Sequence, residues 1–125
     1  MTIMPIPFKE IGQDKLYRMI DIFYGYVAED TRINHLFPDD LTETAYKQKL
    51  FQTQFLGGPN LYNEEYGHPM LKARHVPFRI TPEAAEAWLE NMDRAMNDVG
   101  LEEELKTYIM ARYTLTANHM VNSID

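Results

Sequence analysis

Residues 71 to 80 read LKARHVPFRI and set His75 between an arginine and a proline-bearing turn. Imidazole is the side chain whose charge changes near neutral pH, and as the neutral ring it is a common metal ligand. A short helix ending at about His75 brings the Leu71 carbonyl, one turn back, within reach of one ring nitrogen. That bond selects the tautomer and leaves the other nitrogen free to ligate. The local sequence leaves two readings open: a histidine satisfied inside the structure, and a histidine that binds a metal.

A second set of polar residues shares a helix face. Thr44, Gln48, Phe51 and Phe55 are spaced four, three and four apart, so they line one side of a helix. The two phenylalanines direct that side inward and take Thr44 and Gln48 with them. Buried polar groups cost free energy unless paired. The face therefore lies at a wet rim, or it lines a cavity with a polar guest. Tyr24 and Trp88 fall on the inward stripes of two other helices, and each carries a hydrogen that needs a partner when buried. Taken singly, each also reads as ordinary core. Together, Tyr24, Gln48 and Trp88 give three donors and Thr44 a hydroxyl, a setting for a small molecule with negative character.

Other chemistry is thin. The chain has no cysteine, which excludes disulfides, thiolate metal sites and cysteine nucleophiles. No HExxH motif, Walker loop, GxSxG elbow or dinucleotide fingerprint occurs. Glu65-x-x-His68 is the one ExxH pair, and Gly67 and Pro69 argue against its lying on a helix. His35 and His119 read as surface histidines. One ligating histidine is too few for a metal site built from protein alone, whereas haem supplies four nitrogens itself and asks for a single histidine.

The elements that must position these residues are helices. Leu16, Met19, Ile20, Phe23, Tyr24 and Val27 recur at helical spacing and predict an amphipathic helix over 14–30. Pro38 makes the stretch from Asn34 to Asp40 a corner. A helix follows with Asp40 as its expected N-cap, and Gly57-Gly58-Pro59 stops it. Residues 59–68 read as loop, and Pro69 is expected to open the short helix to His75. Thr81 and Pro82 are a cap and first position for a helix carrying Ala85, Trp88, Leu89, Met92, Met96 and Val99, ended by Gly100. A last helix over 101–121 turns Leu101, Leu105, Tyr108, Ile109, Leu115 and Met120 inward. No period-2 strand pattern or repeat is present, so the reading is one all-α domain over residues 1–125.

Composition agrees. The chain has 125 residues, 45% hydrophobic and 25% charged, values ordinary for a globular domain. Eight tyrosines, six phenylalanines and eight methionines suit a soft aromatic core or a cavity for a large flat apolar ligand. A net charge of −7 without a basic cluster argues against nucleic acid. Apolar runs are too short to span a bilayer, and MTIMPIPFKE lacks the pattern of a signal peptide. A cytoplasmic location is expected.

The stretches IDIFYGYVAED, LFPDDLTETAYKQK, QFLGGPNLY, GHPMLKARHVPFRIT and AWLENM, with the tail HMVNS, run in order from about Phe8 to Asn122. In them the chain resembles the group II truncated haemoglobins; GHPxLxxRHxPFxI with a downstream tryptophan is the specific part. The resemblance implies a shortened globin fold of helices stacked two over two around haem b. It makes His75 the proximal iron ligand and Tyr24, Thr44, Gln48 and Trp88 the distal side. It packs Phe37 on the haem plane and sets Lys47 and Arg74, with Tyr62 as a weaker candidate, toward the propionates. The function implied is reversible binding of dioxygen and other diatomic ligands at ferrous iron; a donor from Tyr24 or Trp88 predicts high affinity and slow release, suited to scavenging, sensing or redox detoxification. Peroxidase-like or nitric oxide dioxygenase turnover is the alternative. A separate reductase would be a further partner, and the state a monomer or homodimer. Some relatives have a glycine pair where this chain has Gly12-Gln13, tyrosine at the place of Phe37, or apolar residues at positions 44 and 48, so the distal pocket is this chain's own.

Overall fold

The computed structural model describes residues 6–123; residues 1–5, on which part of the signal-peptide reading rests, and 124–125 lie outside them. Seven α-helices and one 3-10 turn make up the described residues, with no strand among them. They are α1 (Pro7–Ile11), α2 (Gln13–Glu29), α3 (Thr42–Phe55), α4 (Leu61–Tyr66), α5 (Leu71–His75), α6 (Pro82–Asp98) and α7 (Glu103–Met120), and the 3-10 turn Asn34–Leu36 lies between α2 and α3. No helix of the described residues is long and apolar enough to cross a membrane.

Helix α2 packs on α3 and α6, and α6 packs on α7. Two pairs, α2 with α3 and α6 with α7, are thereby stacked two over two. The frame rests on α2, whose Leu16, Met19, Ile20, Phe23 and Val27 are wholly buried. Each such side chain contributes about 1.5–3 kcal/mol, so α2 is a rigid support for Tyr24 on the same stripe. From α6 come Ala87, Met92, Ala95 and Met96, and from α7 Ile109 and Tyr113. Helix α6 begins as expected: the Thr81 hydroxyl accepts from Ala84 N–H at 3.1 Å, with Pro82 in the first turn.

Several expectations are corrected. Residues 61–66 form α4 rather than loop. The helix is short, but Tyr62 packs edge-on against Phe51 at 5.9 Å. Gln54 ties it to α3, accepting from the Asn63 N–H and donating to its Oδ1, each at 3.0 Å. Helix α5 starts at Leu71 and not at Pro69, because Met70 takes a left-handed conformation, φ 49°. Leu41 holds the N-cap position of α3, although the Asp40 carboxylate still accepts from Thr42 N–H at 3.0 Å. Leu115 is 76% exposed instead of inward; two residues past buried Tyr113, it points nearly opposite to it on a helix of 3.6 residues per turn. Tyr113 takes the inward place.

The glycine pair does more than stop α3. Gly57 is at φ 95°, and a Cβ at Gly58 would lie 2.7 Å from the Phe8 ring and 2.8 Å from the Thr53 carbonyl. The close approach lets Phe8 N–H donate to Leu56 O at 2.9 Å, which seats α1 on the end of α3.

Candidate functional site

Between α3, α5, α6 and α7 lies a cavity of about 420 Å³, lined by residues of all four and by Tyr24, Phe37 and Tyr62. The size suits a cofactor or a small ligand. Every sequence-predicted site residue is on its wall: Tyr24, Phe37, Thr44, Lys47, Gln48, Tyr62, Arg74, His75 and Trp88.

His75 is the last residue of α5, and its Nδ1 is 2.6 Å from the carbonyl of Leu71. A carbonyl accepts only, so Nδ1 carries the hydrogen, and in the neutral ring the lone pair falls on Nε2. The bond fixes the orientation of the ring and makes Nε2 the nitrogen it can offer to a metal. Among the described residues no group of three or more histidine, cysteine, aspartate or glutamate side chains can hold a metal ion. A bare ion has no ligand set here. A group that brings its own equatorial donors needs the single imidazole that this wall supplies, so the donor set fits haem.

Tyr24 comes from the buried face of α2, Thr44 and Gln48 from α3, and Trp88 from α6. Their side-chain polar atoms make no hydrogen bond to the protein among the described residues. Tyr24 is 6% exposed, and burial pushes its phenol well above the ordinary tyrosine range, so it stays protonated and a donor. Its ring meets Phe23 edge-on at 4.9 Å and Phe37 at 5.9 Å. Trp88 is fixed likewise, against Phe23 at 5.1 Å and Tyr113 at 5.2 Å.

The charged wall residues differ from one another. Lys47 pairs with Glu43 one turn back at 3.0 Å and stands over the Tyr66 ring at 5.3 Å. Arg74 is exposed, whereas Tyr62 is buried. His35, His68 and His119 are exposed and contribute nothing to the cavity wall.

Two wall residues escaped the sequence reading. Gln52 and Tyr113, each 2% exposed, satisfy one another: the Tyr113 hydroxyl donates to Gln52 Oε1 at 2.6 Å. The stacking of Tyr113 on Phe55 at 5.7 Å locks the pair. A period signal was present, since Gln52 follows Gln48 by one turn and Tyr113 follows Ile109 by one turn, but nothing in sequence joins α3 to α7. Asn122 was missed as well, because its partners lie more than forty residues away.

The model of the family described as bacterial-like globin matches residues 7–122. The chain is 54% identical over 119 residues to group 2 truncated hemoglobin YjbI of Bacillus subtilis (strain 168), covering 95% of this chain and 90% of that protein. The crystal structure of the group II truncated hemoglobin from Bacillus anthracis matches with a TM-score of 0.93 at 53% identity, over 95% of this chain and 98% of that one. The X-ray structure of truncated oxygen-avid haemoglobin from Bacillus subtilis matches with a TM-score of 0.91 at 54% identity, over 94% and 100% of the two chains. A pocket with one tied imidazole, set among helices stacked two over two, and likenesses over nearly the whole chain agree: this protein belongs to the bacterial-like globin family, as a group II truncated haemoglobin.

Proposed function

We propose that the cavity takes haem b, with His75 as its one protein ligand, and that the protein binds dioxygen reversibly, with high affinity and slow release. The observation that carries this reading is a contrast within one wall. Gln52 and Tyr113 are satisfied by each other, whereas Tyr24, Thr44, Gln48 and Trp88 keep their polar groups for a guest. Haem, when bound, would supply an iron that His75 would hold and that could take a diatomic ligand.

The rest falls to the side chains. Tyr24 and Trp88 donate to a ligand that gathers negative charge, and Gln48 can donate beside them. Thr44 adds a hydroxyl, and Phe37 with Phe23 keeps the two aromatic donors in place. A hydrogen bond to a charged group is worth about 1.5–3 kcal/mol, so one good donor slows release by about one to two orders of magnitude. The oxygen avidity named for the Bacillus subtilis relative agrees with this.

The test has two parts. The purified protein should show a Soret band that is lost in His75→Leu. Dioxygen release should quicken by about tenfold or more in Tyr24→Phe or in Trp88→Phe. Unchanged release in both variants would remove the high-affinity reading while leaving haem binding intact.

A further inference from the structure

Helix α5 cannot by itself hold His75 still. It has five residues, none buried, and a helix so short has no stability of its own in water. Its start is fastened by His68, whose Nδ1 accepts from the N–H of left-handed Met70 at 3.0 Å. At its end the chain turns at once, Phe78 N–H donating to His75 O at 3.0 Å.

Asn122 closes on that turn from the other end of the sequence. Its Nδ2 donates to Phe78 O at 2.8 Å and to His75 O at 3.3 Å. Its Oδ1 accepts from Ile80 N–H at 2.9 Å, and its own N–H donates to Ile80 O at 2.9 Å. One neutral amide thus serves two carbonyls and an N–H together, which a carboxylate or a hydroxyl cannot do. Asn122 lies two residues past the end of α7, whose Ile109 and Tyr113 are set in the core. The frame of the molecule is in this way connected to the residue that offers the imidazole.

We infer that Asn122 is a positioning residue for His75, fixing the depth and tilt of the ring through the turn that follows it. This rests on the reading of His75 as the haem ligand. Without the Asn122 side chain the turn loses its bonds to Phe78 O, His75 O and Ile80 N–H, and the tail then reaches it only past His75, through backbone N–H groups on Ile80 O and through Ser123 beside Arg79. The imidazole then samples a wider range of tilts, and its bond to iron weakens.

The test compares Asn122→Ala and Asn122→Asp with Asn118→Ala, an exposed asparagine one turn earlier on α7. Asn122→Asp keeps the acceptor for Ile80 N–H but sets a carboxylate against two carbonyl oxygens, so it should have the larger effect. In the ferrous, ligand-free protein the iron–histidine stretching band should broaden and move to lower frequency in both Asn122 variants. Carbon monoxide binding should change by roughly two- to tenfold, as the loss of one or two neutral hydrogen bonds allows. In the haem-free chain, amide exchange should quicken over residues 71–80 and not in α2 or α6. Asn118→Ala should match the parent throughout. An intact Soret band with unchanged stretching band and exchange would overturn the positioning role alone. A parent chain without a Soret band would overturn the haem reading, while exchange over 71–80 would still decide whether Asn122 holds the turn.

Discussion

Two tyrosines on the cavity wall have the same chemistry and opposite consequences. Burial raises the pKa of both above the ordinary tyrosine range, so both are neutral phenols at any physiological pH. Tyr113 gives its hydrogen to Gln52, whereas the Tyr24 hydroxyl has no hydrogen-bond partner among the described residues. Tyr113→Phe leaves the Gln52 oxygen buried and unpaired, which should cost about 1–3 kcal/mol in urea unfolding while moving dioxygen release little. Tyr24→Phe removes no protein hydrogen bond, so unfolding should hardly change while release quickens. An inverted pattern would mean that the donor has been assigned to the wrong tyrosine. The same raised pKa fixes a sign: stability linked to Tyr24 is present below about pH 10 and falls only as pH rises past the ordinary tyrosine value. Dioxygen release should therefore be flat between about pH 6 and 9, so far as Tyr24 controls it.

At the scale of elements, legibility followed packing. Helices α2 and α6 were readable because their apolar stripes face a core, and a core demands regular spacing. Helix α4 was not, since LYNEEY has no stripe and exists through Tyr62 against Phe51 and through Gln54 against Asn63. The side chains of the site were legible where they share a stripe with core residues, as Tyr24, Gln48 and Trp88 do. Asn122 and the Gln52–Tyr113 pair were not, because their roles are set across helices. The same holds for Asp30, just past α2. It accepts from Arg32 at 2.8 Å and from buried Asn91 on α6 at 2.9 Å, while Arg32 reaches on to Glu90 at 2.8 Å. The Arg32 guanidinium, and then Asn91, hold its carboxyl well below the usual range. A depressed pKa of this kind stabilises the fold above the unfolded value near pH 4 and is lost as pH falls below it. Asp30→Asn should lower Tm at pH 7 by about 3–6 °C, and the gap to the parent should close as pH falls through the acid range. A gap that persists at low pH would show that packing, not charge, makes this corner.

For the whole molecule, the cavity sets the balance between frame and pocket. Helices α2, α6 and α7 share a dense core, but α3, α5 and the stretch from Gly67 to Thr81 meet across a space of about 420 Å³. At roughly 24 cal/mol per Å³, a dry cavity of that size would cost on the order of 10 kcal/mol, a figure that its open mouth and polar wall reduce. Even a fraction of it is comparable with the stability of a small domain. A group that fills the cavity and binds only the folded chain must then stabilise strongly, by an amount that grows with its occupancy. Haem extraction should lower Tm by more than Tyr113→Phe or Asp30→Asn does. The loss should also be uneven in space: amide exchange should quicken first over residues 61–81 and at the cavity end of α3, and last in α2 and α6. His75→Leu, mixed with haem, should resemble the extracted protein in both respects. Uniform loss of protection would mean that the cavity wall and the frame unfold as one unit, and that the core of α2, α6 and α7 is not self-supporting.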